Sequence, residues 1–232
     1  MSYPPAAELR QRAIVLVHGA WVGEWSWLPV MADLLASGRP VHNISLTGHG
    51  AKRHLSGPHV TLADHVADVV GVIDTLDLTE VTLVGHSYGG RVITQAWEQL
   101  SDRVSGLVYL DAHAPVAETP PQPANRSVEG GMVPFQLYDP APEIIGSDEG
   151  ARWFYDRVMP QSAACLSADW QVSLPDELPK TFIFATADKP SRFQQYADVC
   201  AASSTWDYHE LDGPHFLMFS HPKEVAQLIL GR

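Results

Sequence analysis

The sequence predicts an α/β fold: a mostly parallel sheet of about six strands with helices on both faces. Short apolar runs of strand character alternate with segments of helical period along most of the chain, and this alternation is typical of βαβ units. The first run, residues 13–17, is apolar throughout, which indicates a strand buried on both faces. Because 45% of the 232 residues are hydrophobic, we expect residues 1–232 to form a single domain with a large core.

The elements follow one another in a regular order. We expect strands at residues 13–17, 40–45, 81–84, 105–111, 181–186 and 205–211, and helices at residues 25–37, 62–76, 92–100, 149–159, 191–202 and 217–230. Residues 46–60 have no period and are predicted to form a loop. Thr61 and Asp64 predict a capping box at the start of the second helix. Asp64, His65 and Asp68 on that helix have a spacing at which metal ligands can occur, but we interpret them as a solvated helix face.

A serine stands at the sharpest predicted turn of the chain. Residues 81–91 read Val-Thr-Leu-Val-Gly-His-Ser-Tyr-Gly-Gly-Arg, so Ser87 lies between a strand and a helix. Such a turn strains the apical residue and exposes its Oγ above the sheet edge. Gly85 and Gly89 have no Cβ that would block the close packing of strand and helix. A glycine-rich turn with a capping serine is the alternative, but the strand, the helix and Gly90 favour a nucleophile elbow.

The strand ends also carry a base and two carboxylates. In parallel sheets, catalytic groups gather at the carboxyl ends of the strands, where this chain has Asp111, Asp188 and His215 besides Ser87. A serine hydroxyl needs a neutral imidazole as its base, and that imidazole needs a carboxylate on its other nitrogen. Ser87, Asp188 and His215 occur in the order Ser, Asp, His, so we predict that they form a catalytic triad, with Asp111 as the other possible acid.

Backbone donors for a tetrahedral oxyanion are predicted from the same turns. The N–H of Tyr88 follows the nucleophile, and the N–H of Ala20 lies in the loop after the first strand. His18 and His86 flank this region, and we interpret them as packing and loop-fixing residues because neither position suits a general base.

The regular alternation stops after Asp111. Residues 112–180, here called the lid insertion, hold many of the 18 prolines and have clear helical character only at 149–159. Aromatic residues in this segment argue against a disordered linker. We predict that the insertion covers the carboxyl edge of the sheet, and that Trp21, His113 and Trp153 line an apolar substrate pocket beside Ser87.

The charge and composition of the chain argue against several classes of binding partner. Fifteen Lys and Arg against 27 Asp and Glu give a net charge of −12, which argues against nucleic acid and anionic membranes. Residues 1–12 lack the apolar core of a signal peptide, and no apolar run has the length of a membrane span. Cys165 and Cys200 have no metal or redox spacing, so we expect reduced thiols and a cytoplasmic protein. No metal and no organic cofactor is expected.

With these features, the chain resembles the α/β-hydrolases, and within them the branch of small carboxylesterases, plant methylesterases and hydroxynitrile lyases. Bacterial pyrethroid-hydrolysing esterases are the most similar of these. The resembling stretches are residues 15–21 (Val-Leu-Val-His-Gly-Ala-Trp), 85–90, 107–112 and 215–222 (His-Phe-Leu-Met-Phe-Ser-His-Pro). The resemblance implies Ser87 as nucleophile, Asp188 as acid, His215 as base, oxyanion donors at Ala20 and Tyr88, and a pocket under the lid.

Particular residues of this chain indicate which reaction of these families to expect and which carboxylate is the acid. The lyase relatives typically have Thr where Gly19 stands and Lys where Phe216 stands, which favours an esterase. Residues 187–189 resemble the acid turn of the esterase branch, and Asp111 can instead cap the turn that begins the lid. We therefore predict a serine esterase that cleaves a small to medium apolar carboxylic ester through an acyl-enzyme. The alternatives are a hydroxynitrile lyase and a non-catalytic ligand-binding protein, and homodimerisation is left open.

Overall fold

A six-stranded parallel sheet forms the centre of the computed structural model, which describes residues 10–116, 129–135, 148–170, 172–187 and 191–231. The strand order is β2-β1-β3-β4-β7-β8, and every neighbouring pair is parallel. The strands are β1 (Ile14–Val17), β2 (Val41–Ile44), β3 (Val81–His86), β4 (Val104–Leu110), β7 (Lys180–Ala185) and β8 (Asp207–Leu211). The predicted α/β class, strand number and parallel sheet are confirmed.

Helices cover both faces of this sheet. One core contains α2 (Leu62–Thr75), α3 (Gly89–Leu100) and α6 (Gln194–Ala202), packed on Val15, Leu83 and Phe182. The other contains α1 (Leu28–Leu35), α7 (Leu217–Ser220) and α8 (Pro222–Ile229), packed on Leu16 and Val84. Successive strand residues thus point to opposite cores, as the two-residue period of a strand requires.

Outside the lid insertion, three elements differ from their sequence predictions by more than a shift of their ends. The helix expected at 25–37 begins as a 3-10 turn (Glu24–Trp27) and becomes α1 at Leu28, because Pro29 at the helix start donates no N–H. The loop expected at 46–60 contains a 3-10 segment, Gly50–Leu55. The C-terminal helix is divided into α7 and α8 at His221, whose φ of −132° and ψ of 51° are not helical and which precedes Pro222.

The lid insertion has its own small elements between β4 and β7. The strands β5 (Met132–Val133) and β6 (Gln161–Ser162) pair antiparallel, and two helices are present, α4 (Asp148–Tyr155) and α5 (Ala163–Ser167). Within the described ranges, none of the helices is both long enough and apolar enough to pass through a bilayer.

The chain topology defines where a ligand can bind. From β1 the chain passes to β2 on one side, and it then returns to β3 on the other side of β1. Ligands of open α/β sheets bind in the crevice at such a reversal, outside the carboxyl ends of the strands. Here that crevice lies between the loop after β1 and Ser87 at the end of β3.

Candidate active site

Ser87 occupies a strained turn between β3 and α3. Its φ is 54°, a left-handed value that costs free energy in any residue with a Cβ and occurs mainly at functional sites. The backbone carbonyl of Ser87 accepts hydrogen bonds from the N–H of Gly90 at 3.2 Å and of His113 at 3.1 Å. Its own N–H donates to Leu110 O at 3.2 Å. These three bonds hold the apex in its strained conformation.

The glycines around the serine allow the strand and the helix to meet. A Cβ on Gly85 would lie 2.7 Å from the carbonyl carbon of Gly89, and a Cβ on Gly89 would lie 2.6 Å from Val17 O. Both distances are shorter than a carbon atom can approach, so the geometry predicted for these two glycines is confirmed. The elbow therefore depends on backbone contacts that only glycine permits.

His215 is bonded to a buried carboxylate. Its Nδ1 lies 2.5 Å from Oδ2 of Asp111, and the Asp111 side chain is only 2% exposed. The second oxygen of Asp111 accepts the N–H of Ala185 at 3.3 Å. A carboxylate at Nδ1 holds the proton on that nitrogen, so the lone pair of the neutral ring lies on Nε2, the nitrogen that takes the proton in a triad. The hydroxyl of Ser87 forms no hydrogen bond with the His215 ring in the described part of the chain, and in unliganded hydrolases this contact is often loose.

The strand order explains how Asp111 reaches His215. β4 lies between β3 and β7 in the sheet, so the carboxylate at the end of β4 is on the strand next to the serine. The N–H of Asp111 continues the ladder to Ile183 O at 2.7 Å, and its φ of 41° turns the chain there. The contact is therefore made between groups at the ends of β4 and β8. Asp188 itself lies outside the described residues.

The loop after β1 approaches the elbow closely. A Cβ on Gly19 would lie 3.1 Å from Ser87 Cβ and 2.9 Å from His86 Nδ1, so the backbone of this loop lies against the serine. His18 accepts the N–H of Leu46 on Nε2 at 3.1 Å and therefore donates from Nδ1 to Gly19 O at 2.8 Å. Burial lowers the pKa of His18 well below its usual value, so its ring stays neutral, and its predicted loop-fixing role is confirmed.

Comparison with known proteins identifies the family. The profile of the "Alpha/beta hydrolase family" matches residues 14–228. This chain belongs to the alpha/beta hydrolase family. A carbendazim hydrolyzing esterase of Nocardioides sp. (strain SG-4G) is 32% identical over 232 residues, which span 92% of this chain and 96% of that protein. Methylesterase 2 of Arabidopsis thaliana is 29% identical over 143 residues, or 61% of this chain and 54% of that protein.

Solved structures share the fold of this alpha/beta hydrolase. The Arabidopsis methylesterase MES16 superposes with a TM-score of 0.76 at 21% identity, covering 95% of this chain and 98% of that one. An extracellular alpha/beta-hydrolase from a Paenibacillus species has a TM-score of 0.74 at 24% identity, with coverage of 95% and 98%. The named relatives of the sequence are esterases, so the ester hydrolase predicted from the sequence is confirmed at the level of the reaction class.

The side chain of Tyr88 is anchored behind the elbow of this hydrolase. Its hydroxyl lies 2.9 Å from Nδ1 of His65, whose Nε2 is 2.9 Å from Thr47 O. The Thr47 carbonyl only accepts, so His65 is protonated on Nε2 and accepts the Tyr88 hydroxyl on Nδ1. His65 is thus a fully buried residue rather than part of the solvated face that the sequence predicted. Its spacing of three residues from Leu62 places it on the apolar stripe, a signal that could have identified it.

Asp64 and Asp68 also have partners within the protein. Asp64 completes the predicted capping box with Thr61, and Asp68 accepts the N–H of Thr47 at 2.5 Å and pairs with Lys52. Among the residues that the structure describes, no group of three or more His, Cys, Asp or Glu side chains is arranged to hold a metal ion.

His113, predicted to contact substrate, has both ring nitrogens in internal bonds. Nδ1 lies 2.8 Å from the hydroxyl of Tyr196, and Nε2 is 3.4 Å from Nη2 of Arg91. Arg91 is itself buried, donates to Leu166 O at 2.7 Å and lies over the Trp170 ring. His113 can therefore offer a ligand its ring surface but no free nitrogen.

Trp21 and Trp153 join the lid insertion to the loop after β1. Trp21 donates from Nε1 to Val133 O at 2.9 Å, and its own carbonyl accepts the N–H of Met159 at 2.8 Å. Trp153 packs edge-to-face on Trp25 at 5.3 Å, with the guanidinium of Arg157 4.2 Å above its ring. The described contacts of these two tryptophans thus hold the lid elements in place.

Proposed function

We propose that this alpha/beta hydrolase cleaves small to medium, largely apolar carboxylic esters through an acyl-enzyme on Ser87. One observation carries the proposal: the bond of 2.5 Å between His215 Nδ1 and the buried Asp111 carboxylate, beside a serine held at a φ of 54°. A neutral imidazole fixed in this tautomer is the base that a serine hydroxyl needs.

The chemistry proceeds in two halves. The Ser87 oxygen attacks the ester carbonyl carbon while His215 Nε2 takes the hydroxyl proton. The resulting tetrahedral oxyanion collapses, and the alcohol leaves with the proton that the imidazolium returns. Water then repeats the sequence on the acyl-enzyme and releases the carboxylic acid. Asp111 stabilises the imidazolium in each half, so we assign it the acid role in place of Asp188.

The oxyanion is held by the N–H groups of Ala20 and Tyr88. The close approach of Gly19 to Ser87 and the anchoring of the Tyr88 hydroxyl by His65 support this assignment. Two fixed backbone donors stabilise the charge that develops in the transition state, and the loss of one such donor costs about 10²–10³ in kcat in a well-studied protease.

The lid insertion contributes the specificity. One of its aromatic side chains packs next to the segment of the catalytic histidine: Phe154 lies 5.1 Å from Phe216, which follows that histidine, and 5.3 Å from Trp25. Such surroundings suit uncharged acyl groups. A panel of esters with neutral and carboxylate-bearing acyl chains tests this point, and a preference for the charged esters would contradict it. The name of the Nocardioides relative makes carbendazim a further compound for the panel.

The small space around Gly19 disfavours the hydroxynitrile lyase alternative. The lyase relatives typically have Thr at the position of Gly19, but a Cβ there would lie 2.9 Å from His86 Nδ1. This site has no room for such a side chain unless His86 moves.

The experiment that tests the proposal combines turnover with covalent labelling. Purified protein is assayed with p-nitrophenyl acetate and butyrate and is then exposed to a fluorophosphonate. We expect hydrolysis of both esters, and one phosphonate on Ser87 that is absent from Ser87→Ala. Binding of esters without turnover and without labelling would instead indicate a non-catalytic ligand-binding protein.

A cytoplasmic location is supported by two free, buried thiols, Cys165 and Cys200, since disulfides are rare in the cytosol. Fractionation of the source cells tests it, and recovery of the protein from the medium would contradict it. Light scattering on the purified protein measures whether it forms the homodimer that the sequence left open.

A further inference from the structure

His86 directly precedes the nucleophile, and its fully buried ring contacts the segment that carries the base. Its Nε2 lies 3.0 Å from the backbone carbonyl oxygen of His215, and the centroids of the two imidazole rings are 4.5 Å apart. We propose that His86 is a positioning residue that sets the position of the His215 ring relative to Ser87. This inference rests on the proposed function, since it assigns a role in the same reaction.

The hydrogen bond determines the protonation state of His86. A carbonyl oxygen only accepts, so Nε2 of His86 carries the proton and Nδ1 is bare. Nδ1 is buried and has no hydrogen-bond partner among the described residues; it faces Gly19 in the loop after β1. Burial also lowers the pKa of His86 well below its usual value. The residue thus acts as a neutral, single-tautomer donor.

Three of the residues that contact His215 are His86, Phe193 and Asp111. His86 contacts it from one side, and the ring of Phe193 stacks on it with a centroid distance of 5.2 Å and an interplanar angle of 12°. Asp111 is hydrogen-bonded to Nδ1. Of these three residues, His86 is the one joined to the nucleophile by a peptide bond, so its hydrogen bond links the positions of base and nucleophile.

A small displacement of the base is expected to slow the chemistry rather than weaken binding. Misplacement of a catalytic group by about 1 Å can cost 10²-fold in rate. Removal of the donor from position 86 should therefore lower kcat by about 10- to 100-fold, while KM changes little because His86 does not contact substrate.

Two variants of similar polarity separate this role from packing. His86→Gln places an amide N–H near the position of Nε2, whereas His86→Asn places its amide near Nδ1, out of reach of the His215 carbonyl. We expect His86→Gln to keep kcat within about threefold and His86→Asn to show the full loss. Tyr109→Phe is the matched control, because it removes a buried hydroxyl bonded to Thr94 at 2.8 Å and has no part in the site.

Two readouts accompany the kinetics. The rate of fluorophosphonate labelling should follow kcat, and the downfield ¹H NMR signal of the proton between His215 Nδ1 and Asp111 should persist in His86→Gln and broaden or shift in His86→Asn. Equal kcat values in the two variants, or a loss in Tyr109→Phe as large as that in His86→Asn, would overturn the inference. A wild-type protein that is not labelled at all would instead refute the proposed function.

Discussion

The buried histidines make the stability of this protein dependent on pH. His18, His49, His65 and His86 are at most 3% exposed, and burial lowers the pKa of each below 6.5. In the unfolded chain these rings take up protons near pH 6.5, but in the folded chain they do not. The unfolded state therefore binds more protons below that pH, and the free energy of unfolding falls as the solution is acidified.

For His49, the change in the free energy of unfolding with pH can be calculated. Burial, followed by the nearby charge of His65, lowers its pKa to about 4. The gap from 6.5 corresponds to about 3 kcal/mol of unfolding free energy, lost between pH 6.5 and 4 at about 1.4 kcal/mol per pH unit. The Phe variant His49→Phe keeps a ring of similar shape and cannot titrate. Its free energy of unfolding should therefore depend on pH less steeply than that of the wild type, by about 1.4 kcal/mol per pH unit.

The assay is urea unfolding followed by tryptophan fluorescence at half-unit steps from pH 5 to 7.5. His54→Phe is the control, because it makes the same replacement at an exposed position. A constant offset between the curves reports packing and does not affect the test. An unchanged slope in His49→Phe would refute the reasoning, since His49 would then titrate alike in the folded and unfolded chains.

Two further substitutions and a pH profile test the geometry of the site. Ser87→Ala should lower kcat by about 10⁴ or more with the fold intact, and residual activity within tenfold of the wild type would remove Ser87 from its role. Ester hydrolysis should rise with pH through a single ionisation between about pH 5.5 and 7.5, because His215 must be neutral to act as base; a flat kcat/KM profile from pH 5 to 8 would contradict that. Gly85→Ala should destabilise the protein by about 1–3 kcal/mol, since its Cβ would overlap Gly89, and an unchanged melting temperature would show that the elbow can relax.

The sheet and the elbow were readable from the sequence because each depends on local information. Buried parallel strands are continuous apolar runs, and the two glycines around Ser87 mark a turn that no bulkier residue permits. The helix boundaries were less accurate where one residue interrupts a regular pattern. Pro222 follows an apolar segment that reads as helix, and only the backbone angles at His221 show that the helix breaks there.

The choice of acid could not be made from the sequence. Asp111 and Asp188 each follow a strand, and the resemblance to the esterase branch favoured the second. Which of them acts with His215 depends on the direction from which the turn after β8 brings His215 to the sheet, a tertiary property with no local signature. One signal was available in the sequence: the apolar run that forms β4 is followed at once by Asp111, and a carboxylate that is buried is usually paired.

The role of Asp111 and His215 in activating Ser87 is tested by measuring the kcat of Asp111→Asn beside that of Asp188→Asn. Both variants are first checked for an unchanged melting transition and are then assayed with p-nitrophenyl butyrate. Loss of the true acid leaves the imidazole in the wrong tautomer and costs about 10⁴ in turnover in a well-studied triad. We predict a loss of that order for Asp111→Asn and of less than tenfold for Asp188→Asn. The reverse ranking would assign the role of acid to Asp188 and remove it from Asp111.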